Sequence, residues 1–288
     1  MKIRKAIIPV AGFGTRFLPA TKAQPKEMLP VVDKPTVQYL VEEAVKSGIE
    51  EIVFVTGRGK RAIEDHFDIS YELEDTLHGK NKKDLLKTVR KIAKLAKFSY
   101  VRQSLPLGDG HAILQAKHLI GEEPVLVIFG DCIYDSKVPA SKQLMKTFDK
   151  YGSSVIGLSR VPKKEVSKFG VVDGTILNEK TLKIRNIIEK PEPKNAPSNL
   201  VAVGKYIITP DVFGILSKMR TGKSGEIRLA DAFDLMLSAK KNIYGQILDG
   251  KWLDTGDKFN FIRTTIHMGL KHPETRSKLR KLIRNLNK

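Results

Sequence analysis

The chain of 288 residues contains a single cysteine, Cys132. An internal disulfide is therefore excluded, and the sequence suits a reducing compartment such as the cytoplasm. Long apolar runs are missing as well. Stretches such as Val125–Phe129 are far too short to cross a bilayer. The N-terminal run Ala6–Val10 is too short for a signal-peptide core and lacks a small-residue cleavage site, so it reads as a first buried strand. No repeat, low-complexity stretch or long linker interrupts the sequence, and no shift in composition marks a second independent domain. What is present in quantity is apolar residue, at 41%, which excludes global disorder and permits a substantial core.

Acidic residues are few beside basic ones, and the net charge is +19. That balance raises nucleic acid as a partner. The excess is local, however. Lys80–Lys97 and Lys271–Lys288 together supply 13 of the 19 charges. Both have helical spacing. Leu85, Leu86, Val89, Ile92, Ala93 and Ala96 form one apolar stripe, and Leu279, Leu282, Ile283 and Leu286 form another. Two amphipathic helices are expected, packed by their apolar sides with solvated lysines outside. Nucleic acid and membrane are therefore not expected as partners.

The first half alternates strand and helix. Ala6–Val10, Ile52–Thr56 and Val125–Phe129 are continuous apolar runs, the pattern of strands buried on both faces. Thr36–Lys46 places Val37, Leu40, Val41, Ala44 and Val45 on one helical face, with Pro35 before it and Gly48 after it. Strands separated by helices imply a parallel sheet covered on both faces. Ligands of such sheets sit beyond the carboxyl ends of the strands. Chemistry is therefore expected at Ala11–Arg16, Thr56–Gly59 and Gly130–Cys132. The second half is less regular. Strands are expected at Val155–Val161, Ile184–Glu189 and Val201–Thr209, and helices at Leu229–Ala239 and Phe259–Leu270.

The first strand runs into Ala11-Gly12-Phe13-Gly14-Thr15-Arg16. Two glycines after a buried strand permit a tight turn whose free N–H groups can bind phosphate oxygens. A dinucleotide fingerprint would need a third glycine, which is missing here. The Gly222-Lys223-Ser224 triplet lacks the spacing of a Walker A loop: its first glycine would fall at Ser217, and no strand precedes it. The following irregular segment, Pro19–Pro30, is long for a compact α/β unit, and such segments are usually functional.

G-x-G-T-R at 12–16, Pro25-Lys26-Glu27-Met28-Leu29-Pro30 and Asp33-Lys34-Pro35 closely resemble the sugar-1-phosphate nucleotidyltransferases. They are especially similar to the bacterial and archaeal uridylyltransferases acting on glucose 1-phosphate. The resemblance continues through Val101-Arg102-Gln103, Gly108-Asp109-Gly110-His111-Ala112, Gly130-Asp131, Phe169-Gly170-Val171-Val172, Glu189-Lys190-Pro191, Gly225–Asp231 and Asp254-Thr255-Gly256. It implies a Rossmann-like nucleotidyltransferase fold of the α/β class: a mixed, mostly parallel central sheet flanked by helices, with a small antiparallel extension. Residues 1–270 would form the catalytic domain and 271–288 a basic amphipathic C-terminal helix. The implied assembly is a homo-oligomer.

The resemblance also implies a reaction and its residues. A phosphate oxygen of the sugar 1-phosphate would attack the α-phosphorus of UTP, and pyrophosphate would leave. The nucleophile is already an anion, so the demand is for positioning and charge neutralisation rather than for a strong base. Main-chain donors at Ala11, Gly12, Gly14 and Thr15 would hold nucleotide phosphates, and Arg16 and Lys26 would face the triphosphate as the catalytic pair. Gln103 carries both a donor and an acceptor, matching the imide edge of uracil. Gly108 and Gly110 would let a base lie against backbone, and Leu107 stands where the close family has a lysine. Gly170, Glu189 and Lys190 would bind the sugar phosphate. Asp131 and Asp254 would hold Mg²⁺, which commonly takes one or two carboxylates and completes its shell with substrate oxygens. His111 is equally readable as a ligand contact or a structural histidine. Cys132 reads as a small buried residue. The alternatives are use of dTTP or another hexose 1-phosphate, and, from a different class, a catalytically silent regulatory or nucleic-acid-binding protein on the same fold.

Overall fold

The computed structural model describes residues 2–221 and 225–286, so the Gly222-Lys223-Ser224 triplet lies outside the described residues. Its strands are β1 (Lys5–Pro9), β2 (Pro30–Val31), β3 (Lys34–Pro35), β4 (Glu51–Thr56), β5 (Lys97–Arg102), β6 (Val125–Ile128), β7 (Cys132–Asp135), β8 (Ser154–Arg160), β9 (Gly170–Asn178), β10 (Thr181–Glu189), β11 (Leu200–Ile208), β12 (Ile243–Ile247) and β13 (Lys251–Asp254). Its helices are α1 (Thr36–Lys46), α2 (Arg61–Phe67), α3 (Tyr71–Gly79), α4 (Lys83–Ala93), α5 (Asp109–Gln115), α6 (Lys117–Ile120), α7 (Ala140–Tyr151), α8 (Pro210–Leu216), α9 (Leu229–Ser238), α10 (Lys258–Gly269) and α11 (Arg276–Leu286).

Nine strands form one mixed sheet in the order β5-β4-β1-β6-β11-β8-β12-β10-β9. β5, β4, β1 and β6 pair with one another in parallel, and β4, β1 and β6 are the buried apolar runs. Direction reverses at β11, which is antiparallel to β6, and the second half continues the same sheet through antiparallel pairs, except that β12 runs parallel to β8. One face carries α1, α2 and α7, packed through Leu40, Phe67 and Phe148. The other carries α5, α8 and α9, packed through Ile113, Phe213 and Phe233. A buried ion pair crosses the first layer: Lys205 Nζ of β11 lies 3.0 Å from Glu43 of α1, whose other oxygen accepts from both N and Oγ of Ser141.

Two expectations need correction. The basic stretch 80–97 is not one helix. The helix is Lys83–Ala93, and from Lys97 the chain is strand β5. Phe98 and Tyr100, two residues apart, both stack on Phe54 of β4, so the period there is that of a strand. The stripe on α11 is only half covered. Leu279 and Ile283 are partly buried, whereas Leu282 and Leu286 remain exposed.

The carboxyl ends of β1, β4 and β6 share one edge of the sheet. Beside that edge β7 and β13 form an antiparallel two-stranded ribbon in which Cys132 faces Asp254. This ribbon brings a carboxylate from late in the chain next to the end of β6.

Candidate active site

After Val10 N bonds to Val55 O, the N–H groups of residues 11–16 find no acceptor among the described residues. A row of unpaired donors at a strand's end suits an anion. The turn's shape depends on Gly14. Its φ of 66° is a left-handed conformation, and an added Cβ would lie 3.1 Å from the Cβ of Lys26. Thr21 Oγ1 donates to Gly14 O at 2.8 Å and ties the loop to the Pro19–Pro30 segment.

Lys26 is thereby aimed at Asp131, with Nζ 2.6 Å from Oδ2. Burial opposes charge on both groups, but each stabilises the other. The Lys26 ammonium is raised by Asp131 and Glu27, and the Asp131 carboxyl is held below the usual range by Lys26. The adjacent Glu27 pairs with Lys60 at 2.9 Å, both side chains buried. Lys60 follows β4, so this pair fixes the Lys26 turn to a second strand's end.

Thr255 donates to Asp131 O through both N and Oγ1, at 2.9 and 3.1 Å. Gly256 N donates to Asp254 Oδ1 at 2.8 Å, and Gly256 O accepts from Arg16 Nη1 at 3.3 Å. A Cβ on Gly256 would stand 3.0 Å from Asp254 Oδ1 and 3.1 Å from Asp131 Oδ2. Burial and then the Asp131 charge push the Asp254 carboxyl up to about 6. Two carboxylates converging this closely, one of them reluctant to ionise, fit a divalent cation that draws its other ligands from substrate and water. No group of three or more His, Cys, Asp or Glu side chains suited to a metal occurs among the described residues. The Cys132 thiol is pushed well up by burial and by Asp131, which leaves it inert.

Ala11, Gly12, Lys26, Gln103, Gly108 and Asp131 line a cavity of about 450 Å³. Arg16, Asp131, Gly170, Glu189 and Asp254 line a second, of about 210 Å³. Lys190 lines neither; it borders a third, of about 650 Å³, with Arg16 and Asp254. Gly14 and Thr15, in the same loop, line none of the three. Lys190 reaches Glu189 at 3.5 Å and holds a φ of 46°, a strained value for a residue with a side chain. Gln103 Nε2 is engaged by Gly108 O at 3.0 Å and His111 Nδ1 at 2.9 Å, leaving the amide oxygen without a partner among the described residues. His111 is held from its other nitrogen by Gln115 at 3.1 Å, which gives it a structural task.

The close approach that Gly108 and Gly110 permit is to the protein's own chain. A Cβ on Gly108 would meet Ile227 O at 2.6 Å, and one on Gly110 would meet Arg228 C at 2.9 Å. Ile227 N in turn donates to Leu107 O at 2.7 Å. This docking brings Glu226 to the first cavity and Arg228 to the second. Neither was singled out by sequence reasoning, and nor was Asp109, which lines both. Their only signals were the Gly225–Asp231 segment, for Glu226 and Arg228, and the Gly108–Ala112 segment, for Asp109, each as a whole.

A strand-end loop of free donors, a lysine–aspartate pair and two adjoining cavities give this α/β protein a site suited to phosphate groups. The chain belongs to the nucleotidyl transferase family, whose model matches residues 5–268. A Staphylococcus epidermidis protein named UTP–glucose-1-phosphate uridylyltransferase is 49% identical over 286 residues, 99% of each chain. A UDP-glucose pyrophosphorylase structure complexed with UDP-glucose is 43% identical with a TM-score of 0.86, covering 94% of this chain and 100% of that one. A UTP-bound enzyme of the same type from Acinetobacter baumannii is 36% identical with a TM-score of 0.91, covering 98% of this chain and 99% of that one.

Proposed function

We propose that this protein is a UTP–glucose-1-phosphate uridylyltransferase, forming UDP-glucose and pyrophosphate. The observation that carries the reading is the meeting of two cavities at Asp131, with Lys26 bonded to it. In this reading UTP occupies the larger cavity, its phosphates along the N–H groups of residues 11–16. Uracil N3–H donates to the free amide oxygen of Gln103. The hexose lies in the smaller cavity, where Glu189 accepts from its hydroxyls and Gly170 lets it approach the backbone. Lys190 pairs with the sugar phosphate from the neighbouring opening.

An oxygen of that phosphate attacks the α-phosphorus, the bond from this phosphorus to the bridging oxygen breaks, and pyrophosphate leaves with the electron pair. Arg16 and Lys26 neutralise the charge growing on the phosphates and hold the reactants in line. Asp131 and Asp254 would hold Mg²⁺. Bound there, the ion supplies further neutralisation and a fixed frame for phosphate oxygens.

The full-length similarity to uridylyltransferases supports the choice of UTP and glucose 1-phosphate. We take residues 1–270 as the catalytic unit and 271–288 as an appended basic helix. The single cysteine favours a cytoplasmic setting, and no described helix is long and apolar enough to cross a membrane. Exposed apolar side chains such as Phe259 and Ile262 favour a homo-oligomer, which light scattering would test. The reaction itself is tested by incubating the protein with Mg²⁺ and paired triphosphates and sugar phosphates, then identifying the products. UDP-glucose should dominate, dTTP should react slowly, and ATP and GTP poorly. Equal turnover of ATP and UTP would defeat the assignment.

A further inference from the structure

Asp109 has no task in the reaction just described, yet it occupies a commanding place. With Phe129 and Asp131 it is one of three residues lining both the nucleotide-side and the sugar-side cavity. It is the first residue of α5, and Oδ1 accepts from Leu229 N at 2.7 Å, across 120 positions of sequence. The neighbours on either side are Gly108 and Gly110, where residues 226–228 leave no room for a side chain. Asp109 is thus the one side chain that this turn can offer at the seam between the cavities. No Lys, Arg or His nitrogen lies within 4.0 Å of its carboxylate among the described residues. Burial, followed by the charges of Glu189 and Glu226, pushes the carboxyl up to about 6, so at pH 8 it is an anion without a cation.

An unneutralised carboxylate at this seam repels phosphate. The group it suits is a neutral donor. The nucleotide phosphates are accounted for along residues 11–16 and at Lys26, which pairs with Asp131 and not with Asp109. On the sugar side Glu189 lines the same cavity and its charge is felt at Asp109. Two acceptors facing one small cavity match a ligand with several hydroxyls.

We infer that Asp109 is a specificity-determining residue, its free carboxylate oxygen accepting a hydrogen bond from a hydroxyl of the hexose. The inference rests on the sugar-phosphate reading above and deepens it. A site built to bond a substrate hydroxyl discriminates strongly against a ligand lacking it, because the buried acceptor is then left unpaired.

Asp109→Asn is the informative variant. It keeps an oxygen for Leu229 N and the side-chain size, but it removes the charged acceptor. Asp109→Ala removes both functions, and the melting temperatures of the two variants separate folding from recognition. Kinetic constants should be measured for glucose 1-phosphate, galactose 1-phosphate and 2-deoxyglucose 1-phosphate, and for UTP against dUTP. For Asp109→Asn we expect the KM for glucose 1-phosphate to rise at least about tenfold, as loss of a charged hydrogen bond implies. The preference for glucose over the other two sugars should narrow. The constants for UTP and the UTP-to-dUTP ratio should stay within about twofold. Unchanged sugar KM and sugar preference in a folded Asp109→Asn protein would overturn the inference alone. So would a collapse of the UTP-to-dUTP ratio with the sugar constants intact, since Asp109 would then read the ribose. A parent protein that makes no UDP-glucose would instead overturn the reading beneath it.

Discussion

The proposed nucleotide end and the proposed sugar end of the site each rest on an ion pair, and the two pairs differ in kind. Lys60 and Glu27 lie 2.9 Å apart with side chains 5% and 2% exposed. Lys190 and Glu189 lie 3.5 Å apart with side chains 53% and 28% exposed. The first is sealed from solvent between the Lys26 turn and the end of β4. The second stands at the end of strand β10, open to solvent and to a ligand. A buried pair holds its partners rigidly, because breaking it strands a charge in a medium that cannot solvate it. An open pair exchanges partners easily, and its net worth is small. In the proposed reading, rigidity falls to the end where charge changes during reaction and exchangeability to the end where a sugar is recognised.

The largest effect should come from the carboxylate where the two ends meet. Asp131→Asn keeps the shape but removes the charge that pairs with Lys26 and that the proposed divalent cation would require. Turnover should fall by about a hundredfold or more, the scale of losing a single electrostatic stabiliser. Activity of the parent should likewise vanish with excess chelator. Next in size is the sealed pair. Glu27→Ala leaves Lys60 buried without its partner and should cost about 3–5 kcal/mol in denaturant unfolding. Glu189→Ala, at the open pair, should cost less than about 1 kcal/mol. Equal costs would dissolve the comparison between the two ends.

A subtler effect concerns pH. In the folded chain the Asp109 carboxyl is raised from 3.8 to about 6, so the folded state binds its proton more tightly than the unfolded state does. Its contribution to stability is complete below about pH 4 and is lost as pH rises to about 6. Asp109→Asn should show a flatter stability profile than the parent between those values. An identical profile would mean that Glu189, Glu226 and burial do not act on this carboxyl as the structure indicates. The smallest effect belongs to the outer face of α11. Leu286 is 75% exposed, and Leu286→Ser should change stability by no more than about 0.5 kcal/mol.

The legible parts of the sequence were those whose pattern is local. Thr36–Lys46 is helical with the expected bounds, and the apolar runs at 6–10, 52–56 and 125–129 became β1, β4 and β6 within a residue. Each is long enough to show a period or a continuous buried run. β5 was not legible, because its lysine-rich start continues the helical spacing of α4 and only stacking on Phe54 decides for a strand. β7 and β13, four residues each, are too short to show a period, and their pairing joins Asp254 to Asp131 across more than a hundred residues. Most of the proposed glycine-loop, lysine and aspartate positions come from motif resemblance, and the structure gathers them around adjoining cavities. Asp109 and Arg228 escaped because their place depends on residues 226–229 folding back over Gly108 and Gly110. Nothing in the spacing of either segment reveals that contact.

The contrast between the two ends is tested most directly by measuring kcat and the KM for glucose 1-phosphate in Lys26→Ala and Glu189→Ala side by side. Lys26→Ala should lose mainly kcat, because its charge is used as the triphosphate reacts. Glu189→Ala should keep most of its kcat, raise the sugar KM and blur the distinction between glucose and galactose 1-phosphates. Near-normal turnover in Lys26→Ala, or an untouched sugar KM and sugar preference in Glu189→Ala, would contradict the division of labour drawn here.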